Sequence, residues 1–479
     1  MKIYDVVIVG AGPVGLATAI GLYSRGITNI LVIDKTRAFQ KVGQAIDLAP
    51  NGLKALKYID CNTYQAVKAA GFEPSKLANS SEKPKWETRN TKGEKISKSS
   101  ISLEYDDWYE IYGEGRTHIN WYDLQTALRK QLPSDLVVAN RRCTNIVAES
   151  DRIRIDCLCN GEIEANPYAY WDENQPAENN DSLKSISKSF LAKLVVAADG
   201  INSRIRQVLY QNSPYSDFAK PEYSGFTAIS CGGIELPEAI ANELQETFLK
   251  HNGVVSISNE GDISEDNNSG NKNISKLILF RRESKFGYLI HVPLPSQELK
   301  DRSGQELIDL TVQKLEEIDF PLSLRKLVAK SPPEAMVKRL YHIHRTNISD
   351  SLAFPETANL VNKKDREGIE PIWHQDRVVL VGDAAHGMPP FAAQGANQGL
   401  EDAAVISTLI ADLAKHNDLD NTDAISAAFL KYERLRRPMM QIVQEATMKR
   451  YLFSSERELQ DYSKQVYARN LEEIITALV

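Results

Sequence analysis

The sequence predicts an α/β fold with a largely parallel sheet at its centre. Three short apolar runs have the composition of buried strands, at residues 4–9, 194–198 and 377–380. Each run ends in a turn that contains Gly or Asp and leads into a helical pattern. We expect the chain to fold back so that the first and the third turn form two halves of one cofactor site, although they are far apart in the chain.

The first of these turns has the sequence GAGPVG and the spacing of a dinucleotide-binding loop. Gly10 permits the tight turn, Gly12 lets the backbone approach a pyrophosphate, and Gly15 lets the helix pack closely on the strand. A second strand at residues 30–33 ends in Asp34, where a carboxylate can accept hydrogen bonds from an adenosine ribose. This βαβ unit predicts a dinucleotide site but does not distinguish NAD from FAD.

Two later turns extend the site. The second turn begins with Asp199-Gly200 and enters a helix that carries Arg206, and taken alone it would be read as a helix cap. The third is the Gly-, Pro- and Ala-rich loop at 382–397, which begins with Gly382-Asp383 and opens a further helix. An acid at a strand tip followed by the amides of a helix N-terminus forms a site for anions and cofactors. The third turn therefore predicts a second half of the cofactor site.

Composition limits the class of protein. A chain of 479 residues can bury a large core and is expected to form two or three structural regions. With 25% charged residues and no apolar stretch of membrane-spanning length, we expect a cytoplasmic protein without a stable membrane span. The net charge of -7 argues against nucleic acid as a partner. Five cysteines, an odd and sparse set, favour a reducing compartment over a disulfide framework.

No metal is expected either. Cys157 and Cys159 alternate along one probable strand, and His342 and His344 share one face of another. Both pairs lack the further ligands at matching spacing that a metal site needs. Buried strand cysteines and a polar strand face are the simpler interpretations.

Taken together, the three turns resemble those of the class A flavoprotein monooxygenases, the one-component FAD-dependent aromatic hydroxylases. In that family the GxGxxG unit binds the ADP half of FAD, the DG motif serves FAD and the pyridine nucleotide, and the GD motif holds the ribityl and pyrophosphate portion. The segment YERLRRP at 432–438 is similar to the helix that follows the GD motif in the family. The resemblance covers most of the chain.

The resemblance implies a Rossmann-like FAD-binding domain with an inserted α+β substrate domain, roofed by a mixed or antiparallel sheet, and C-terminal helices. Strand-like runs at 277–280 and 286–293 suit that roof. The expected boundaries are 1–80, 110–218 and 351–410 for the FAD-binding domain, 81–109 and 219–350 for the substrate-binding domain, and 411–479 for the C-terminal helical region.

Carried over position by position, the resemblance implies noncovalent FAD. Asp383 would contact the ribityl or phosphate region, and the backbone from Ala393 to Asn397 would line the isoalloxazine ring. Amides near that helix start can stabilise negative charge on reduced flavin. The residues expected to bind FAD are Gly10, Gly12, Pro13, Val14, Gly15, Asp34, Lys35, Gln44, Ala45, Arg116, Cys143, Asp199, Gly200, Arg206, Gly382, Asp383, Pro390, Ala393, Gln394, Gly395, Ala396 and Asn397.

The chain departs from the family pattern in two places. Trp121 stands where many members carry an Arg that contacts FAD, and Arg116 or Arg129 could take its place. The loop after the GD motif has Ala in place of one usual Gly, within residues 391–395. Ala is small enough for the loop to keep its path.

The chemistry that the resemblance implies is a monooxygenase reaction. NADH or NADPH would reduce FAD, O2 would add at C4a, and the hydroperoxide would hydroxylate an aromatic, phenol-like or other electron-rich small molecule. Tyr288, His291 and Pro390 are candidate substrate contacts, and the catalytic residues remain unknown. The expected partners are the small-molecule substrate and O2, with the protein a monomer or a homodimer.

Other functions fit the same scaffold. A flavin halogenase should show a Trp-x-Trp-x-Ile-Pro pattern, and the nearest segment, residues 288–293, lacks both tryptophans. An epoxidase or a prenyl-chain reductase would differ only in the substrate roof. A non-enzymatic flavin-binding protein also remains an alternative, since a fold alone does not establish turnover.

Overall fold

The computed structural model describes residues 2–36, 45–72, 87–95, 105–160, 185–250, 253–259, 275–346, 370–449 and 456–479. Its strands are β1 (Ile3–Val9), β2 (Ile30–Ile33), β3 (Ala45–Leu48), β4 (Thr88–Arg89), β5 (Thr117–Asn120), β6 (Val137–Val138), β7 (Arg142–Ala148), β8 (Ile153–Asn160), β9 (Ser185–Ala197), β10 (Glu222–Ile234), β11 (Val254–Ser258), β12 (Lys276–Arg282), β13 (Lys285–Pro293), β14 (Val337–Ile343), β15 (His374–Gln375) and β16 (Val378–Leu380). Its helices are α1 (Pro13–Ser24), α2 (Pro50–Ile59), α3 (Cys61–Ala70), α4 (Tyr105–Tyr112), α5 (Trp121–Arg129), α6 (Arg204–Tyr210), α7 (Glu238–Leu244), α8 (Ser296–Leu299), α9 (Gly304–Glu317), α10 (Leu322–Ala329), α11 (Asp383–His386), α12 (Gly395–Lys415), α13 (Thr422–Met448), α14 (Glu456–Val466) and α15 (Leu471–Thr476).

The larger sheet brings the three predicted turns to one edge. Its strand order is β15-β16-β9-β1-β2-β6, and β8 and β7 continue from β9 as an antiparallel extension. Strand β1 pairs in parallel with β2 and β9, and β16 pairs in parallel with β9. The carboxyl ends of β1, β9 and β16 are therefore neighbours. This arrangement confirms the α/β fold predicted from the apolar runs.

Helices cover the central strands of this sheet, which explains why β2 and β16 consist of apolar residues alone. Val6, Val7 and Ile8 of β1 are completely buried. Helix α1 packs against β1 and against α12, so the first and the last long segments of the fold share one core. Burial of this apolar surface contributes about 25 cal/mol for each Å² removed from water.

The second sheet lies beyond the cofactor turns and matches the roof that the sequence predicted. Its order is β14-β10-β13-β12-β11-β4, with antiparallel pairing except between β4 and β11. One face packs against helices α7, α9 and α10 in a core that includes Leu279 and Leu310. The other face carries Phe226 and Tyr341, which pack against Phe391 from the third turn.

The cysteines and the helices of the described residues also bear on the class of the protein. All five cysteines are free thiols, as expected for a chain without a disulfide framework. Among the described residues, every helix is too short or too polar to cross a bilayer. Those residues also hold no cluster of three or more side chains suited to a metal ion. The division into three regions stays a prediction.

Candidate functional site

The glycine turn after β1 forms an open cradle. Gly10 has a φ of +110°, and a Cβ there would lie 2.2 Å from the carbonyl oxygen of Ala198. A Cβ at Gly15 would lie 2.0 Å from the carbonyl oxygen of Gly10, so these two glycines are required by close packing. At Gly12, which caps α1 with Pro13 as the first helical residue, a Cβ would meet nothing within 4 Å. The backbone at Gly12 therefore faces space that a phosphate group would fill.

Asp34 connects the end of β2 to this cradle. Its Oδ2 accepts a hydrogen bond of 2.7 Å from the Ala11 amide, and its Oδ1 accepts one of 2.7 Å from the Thr36 amide. A carboxylate oxygen can accept a second hydrogen bond, so both oxygens keep capacity for a ribose hydroxyl. Lys35, the next residue, is exposed.

The turn after β16 lies directly against the glycine cradle. Gly382 has a φ of +58°, and a Cβ there would lie 3.1 Å from a methyl carbon of Val14. The Gly382 amide donates to Oδ2 of Asp402 over 2.8 Å, and Nε2 of His386 lies 2.6 Å from the same oxygen. One buried carboxylate thus fixes both ends of the short helix α11. The two halves of the predicted site are in contact.

The Asp383 carboxyl faces the cleft that these turns enclose. A Cβ at Gly395 would lie 3.9 Å from its Oδ1, which places it beside the N-terminus of α12. Its side chain is exposed in this structure, yet desolvation by the surrounding protein raises the pKa of the carboxyl, an effect that His386 and Arg339 partly offset. A hydroxyl or phosphate group in the cleft would lie within reach of this side chain.

A buried ionic network supports the third turn from behind. Nε of Arg436 donates to Oδ1 of Asp402 over 2.7 Å, and the same guanidinium pairs with Glu401. Nη2 of Arg436 donates to Oε1 of Gln398 over 2.6 Å. Burial would raise the pKa of Asp402, but His386 and Arg436 together lower it to about 2. Asp402 is therefore charged at neutral pH, and Arg436 from the YERLRRP segment is its cation.

The loop from Pro390 to Asn397 is joined to strand β3 by one side chain. Oδ1 of Asn397 accepts from the Ala49 amide over 2.9 Å, and its Nδ2 donates to the carbonyls of Asp47 (2.9 Å) and Ala393 (2.8 Å). Ala393 adopts a left-handed conformation with a φ of +51°. These contacts fix the start of α12, including Gly395 and Ala396, beside the Asp383 carboxyl.

The DG turn is organised from within the protein. The Asp199 carboxylate accepts from the Ser203 hydroxyl (2.6 Å) and from the amides of Arg204 (2.7 Å) and Ile205 (3.2 Å), so it caps α6. Gly200 follows with a φ of +80°. Arg206 is fully buried and donates to the carbonyls of Phe218, Ala384 and Ala385. The Arg206 side chain therefore supports α11 rather than facing the cleft.

Several residues that were predicted to bind the cofactor lie away from the glycine cradle or are paired with other groups of the protein. Cys143 is buried opposite Cys157 in the β7–β8 pair, and the hydrogen bond between the two thiols raises the pKa of Cys143. Arg116 forms an ion pair with Asp47. Ala45 is exposed at the start of β3, and Gln44 lies outside the described residues.

The two roof residues predicted as substrate contacts lie on opposite faces of the second sheet. Tyr288 is fully buried on the helix side, where its hydroxyl lies 2.9 Å from that of Ser331, and burial raises its pKa. His291 lies on the side of the third turn, with its ring 5.3 Å from that of Phe391. Burial and the nearby Lys276 lower the pKa of His291 to about 4, so it is neutral at pH 7. Only His291 is brought to the cleft.

Sequence reasoning missed residues that the fold brings together. Tyr341 stacks on His291 at a ring distance of 5.7 Å, and Phe391 packs edge-on against Tyr341 at 5.6 Å. Trp108 lines a cavity together with residues 391–394 of the third turn. The guanidinium carbon of Arg116 lies 4.8 Å from the centre of the Trp108 ring. The alternation along β14 could have indicated the facing of Tyr341. The contact of Trp108 with Tyr467 could not be read from a local pattern, because the two residues are far apart in the chain.

Comparisons with known proteins show the family of the chain. A family model described as "FAD binding domain" matches residues 3–217 and 285–447. A protein named "FAD-dependent monooxygenase" from Gibberella moniliformis (strain M3125 / FGSC 7600) is 24% identical over 457 residues, which cover 91% of this chain and 84% of the relative.

Two further matches extend over most of the chain. A "6-hydroxynicotinate 3-monooxygenase" from Bordetella bronchiseptica is 22% identical over 415 residues, 84% of this chain and 82% of the relative. The solved structure of a salicylate hydroxylase substrate complex superposes with a TM-score of 0.65 at 16% identity, covering 100% of this chain and 98% of that chain. This likeness shows that the fold is shared.

Two glycine substitutions separate packing from cofactor binding. We expect Gly15→Ala to lower the free energy of unfolding of the apoprotein by about 2 kcal/mol, because its methyl group would overlap the Gly10 carbonyl. Gly12→Ala should leave the unfolding of the apoprotein nearly unchanged and weaken the binding of added FAD about tenfold, because its methyl group would occupy the open cradle. Thermal denaturation and FAD titration would measure both. Equal destabilisation by the two variants would contradict this account.

The charge of Asp402 predicts a pH dependence of stability. Its folded-state pKa of about 2 lies below the usual 3.8, so its stabilising contribution is complete above about pH 4 and is lost as pH falls toward 2. We expect the contribution to be about 2 kcal/mol. Urea unfolding of the wild type and of Asp402→Asn should show a stability difference that shrinks below pH 4. A difference that is independent of pH down to pH 3 would show that Asp402 is not the charged partner.

Proposed function

This chain belongs to the FAD binding domain family and to the class A FAD-dependent monooxygenases, and from this membership we propose that it uses NADH or NADPH and O2 to hydroxylate an aromatic small molecule. The observation that carries the proposal is the contact between the two cofactor turns. Val14 of the glycine cradle touches Gly382, so one extended cofactor could span from Asp34 to the start of α12.

The cradle and its neighbours would hold the ADP half of FAD. The open backbone at Gly12 and the N-terminus of α1 would receive the pyrophosphate, since helix amides and the helix dipole favour anions. Asp34 would accept from the adenosine ribose, and Asp383 would contact the ribityl chain or the phosphates. The open space at Gly12 and the carboxyl groups of Asp34 and Asp383 suit FAD in chemistry.

The loop from Pro390 to Asn397 would hold the ring of the flavin. Its amides at the start of α12 would stabilise negative charge on the ring, and Asn397 fixes their position through its contacts with β3. When bound, FAD would supply the redox chemistry, taking a hydride from NAD(P)H and activating O2 so that one oxygen atom enters the substrate and the other leaves as water. The sequence has one GxGxxG turn that opens a helix, which favours transient binding of NAD(P)H near Asp199-Gly200.

The aromatic underside of the second sheet would bind the substrate. Phe226, Tyr341 and Phe391 form a contiguous apolar surface there, which would exclude water from the reacting centre. His291 lies within that surface and is neutral, so its ring can hydrogen-bond to a substrate hydroxyl without introducing a charge. A planar aromatic ring that carries a hydroxyl group suits this apolar surface and the neutral ring of His291.

The relatives support the same class of substrate. The names of the Bordetella bronchiseptica enzyme and of the salicylate hydroxylase refer to small aromatic acids that carry a hydroxyl group. The aromatic surface of this chain has the apolar character to pack against such a ring. We therefore propose hydroxyaromatic compounds as the substrates.

The proposal predicts an activity that can be measured directly. The purified protein should contain one noncovalent FAD and should oxidise NADH or NADPH faster in the presence of a suitable hydroxyaromatic compound, with a product one oxygen atom heavier. A panel of phenols and hydroxybenzoates, scored by NAD(P)H oxidation and product mass, would test this. Absence of flavin absorbance after reconstitution with FAD would contradict it. Release of hydrogen peroxide alone with every compound would contradict the hydroxylation.

A further inference from the structure

The C-terminal segment, residues 456–479, folds back onto the larger sheet as helices α14 and α15. Helix α15 packs against α2 and against α12, the helix that begins at the third turn, and apolar side chains of the segment join the same core. The sequence assigned no cofactor residue after Asn397, so this segment was not part of the predicted site. The fold nevertheless places it beside the turn that would hold the flavin ring.

Tyr467 from this segment forms part of the wall of a cavity between the third turn and strand β3. The cavity has a volume of about 370 Å³ including its mouth, and its other walls include residues 391–394 of the third turn and Asp47 of β3. The proposed function places the flavin ring against the loop at 390–397, so the ring would lie in this cavity. Tyr467 is therefore the side chain of the C-terminal segment that would meet the flavin.

Neighbouring rings fix the Tyr467 ring in that wall. Its centre lies 5.2 Å from that of Trp108 and 5.5 Å from that of Tyr112, both on α4, with the rings edge-on. The ring of Tyr462, from the C-terminal segment itself, lies 6.1 Å away. Aromatic pairs in this geometry stabilise one another beyond the burial of their area. Tyr467 would therefore meet the flavin in a fixed orientation and lose little side-chain freedom when the cofactor binds.

The chain at Tyr467 is tied to helices α2 and α12. The Tyr467 carbonyl accepts a hydrogen bond of 2.9 Å from Nζ of Lys54 on α2. Arg469, two residues later, forms an ion pair with Glu401 on α12. Burial lowers the pKa of Arg469 to about 10, so the guanidinium is still charged at neutral pH. These contacts couple the position of Tyr467 to the helix that starts at the flavin loop.

The ion pair of Arg469 completes the charge balance behind the third turn. Glu401 and Asp402 are adjacent buried carboxylates, and Arg436 pairs with both of them. Arg469 brings a second guanidinium to Glu401. Because a buried carboxylate is costly unless it is paired, the C-terminal segment stabilises the network that supports the turn.

Asn51 extends this network to the flavin loop. Its Nδ2 donates to Oε1 of Glu401 over 2.9 Å and to Oε1 of Gln394 over 3.0 Å. Gln394 lines the same cavity as Tyr467. A continuous series of contacts therefore runs from Arg469 through Glu401 and Asn51 to a residue of the flavin loop.

We propose that Tyr467 contacts the flavin ring of bound FAD and that Arg469 is the positioning residue that holds Tyr467 there. The C-terminal segment is then one wall of the cofactor site, and FAD and the docked segment stabilise each other. Such coupling is reciprocal, since a ligand that binds better to the docked form must also favour docking. The proposal rests on the proposed function for the identity of the cofactor, and it adds a contact that none of the three cofactor turns supplies.

The first test compares FAD with ADP as ligands of the apoprotein. FAD would reach both the glycine cradle and Tyr467, whereas ADP would occupy the cradle alone. We expect Tyr467→Leu to raise the dissociation constant of FAD about fivefold to tenfold and to leave that of ADP unchanged, because only the ring contact is lost. Tyr467→Phe should bind both ligands as the wild type does. An unchanged affinity for FAD, or equal weakening of both ligands, would overturn the proposal.

Further substitutions separate the role of Tyr467 from the stability of the segment. Tyr462→Leu removes another buried ring of the same segment that does not line the cavity, so its affinity for FAD should equal that of the wild type. Arg469→Gln should weaken FAD about fivefold, and Arg469→Lys, which keeps the charge, should restore part of the affinity. In the double variant with Tyr467→Leu the losses should not add, because Arg469 acts through the same ring. Additive losses would contradict the positioning role.

Hydrogen exchange of the wild type tests the coupling without any substitution. FAD should slow the exchange of backbone amides in residues 456–479 about fivefold or more, and ADP should not, because only FAD reaches Tyr467. Exchange in this segment that is indifferent to FAD, or that is slowed equally by ADP, would contradict the proposal.

The outcomes distinguish this proposal from the proposed function. Failure of the wild type to bind FAD would contradict the proposed function and this proposal together. Normal binding of FAD by Tyr467→Leu, with no change of exchange in the C-terminal segment, would leave the proposed function in place and contradict only the assignment of Tyr467 and Arg469.

Discussion

The buried ion pair between Arg436 and Asp402 is the interaction on which the cofactor site depends. The Asp402 carboxylate also receives the Gly382 amide and the His386 ring, so one charge positions the whole turn after β16. A buried charge without its partner strongly destabilises a fold, so removal of either Arg436 or Asp402 would disrupt the whole turn. Helix α13 therefore supports the turn after β16 from behind through Arg436.

Local pattern allowed the prediction of the parallel sheet and its three turns. Gly10 and Gly382 lie in turns with a positive φ, and Gly15 in the first turn of α1 packs closely on Gly10; such requirements for glycine are visible in a single sequence. The roof strands followed from their apolar runs. The pairing of Arg436 with Asp402 was not predictable, because nothing in the sequence relates a cation on one helix to a carboxylate on another.

The candidate site was predicted less completely than the fold. Tyr288 and His291 are three residues apart on β13, so strand geometry alone places them on opposite faces, but only the sheet's packing shows which face meets the third turn. Arg206 has the position of a cofactor ligand in the family pattern, yet its guanidinium holds carbonyls of α11. Motifs identify where a site lies, whereas each side chain's role follows from its contacts.

The affinity of the Asp383→Ala apoprotein for FAD tests most directly whether the two ends of the chain form one cofactor site. The Asp383 side chain is exposed, and the backbone of its turn is held through Gly382 and Asp402, so the variant should fold like the wild type. The account predicts a dissociation constant about tenfold to a hundredfold higher, from the loss of one or two hydrogen bonds. The exposed Asp461→Ala should bind FAD normally. An unchanged dissociation constant in Asp383→Ala would contradict the account.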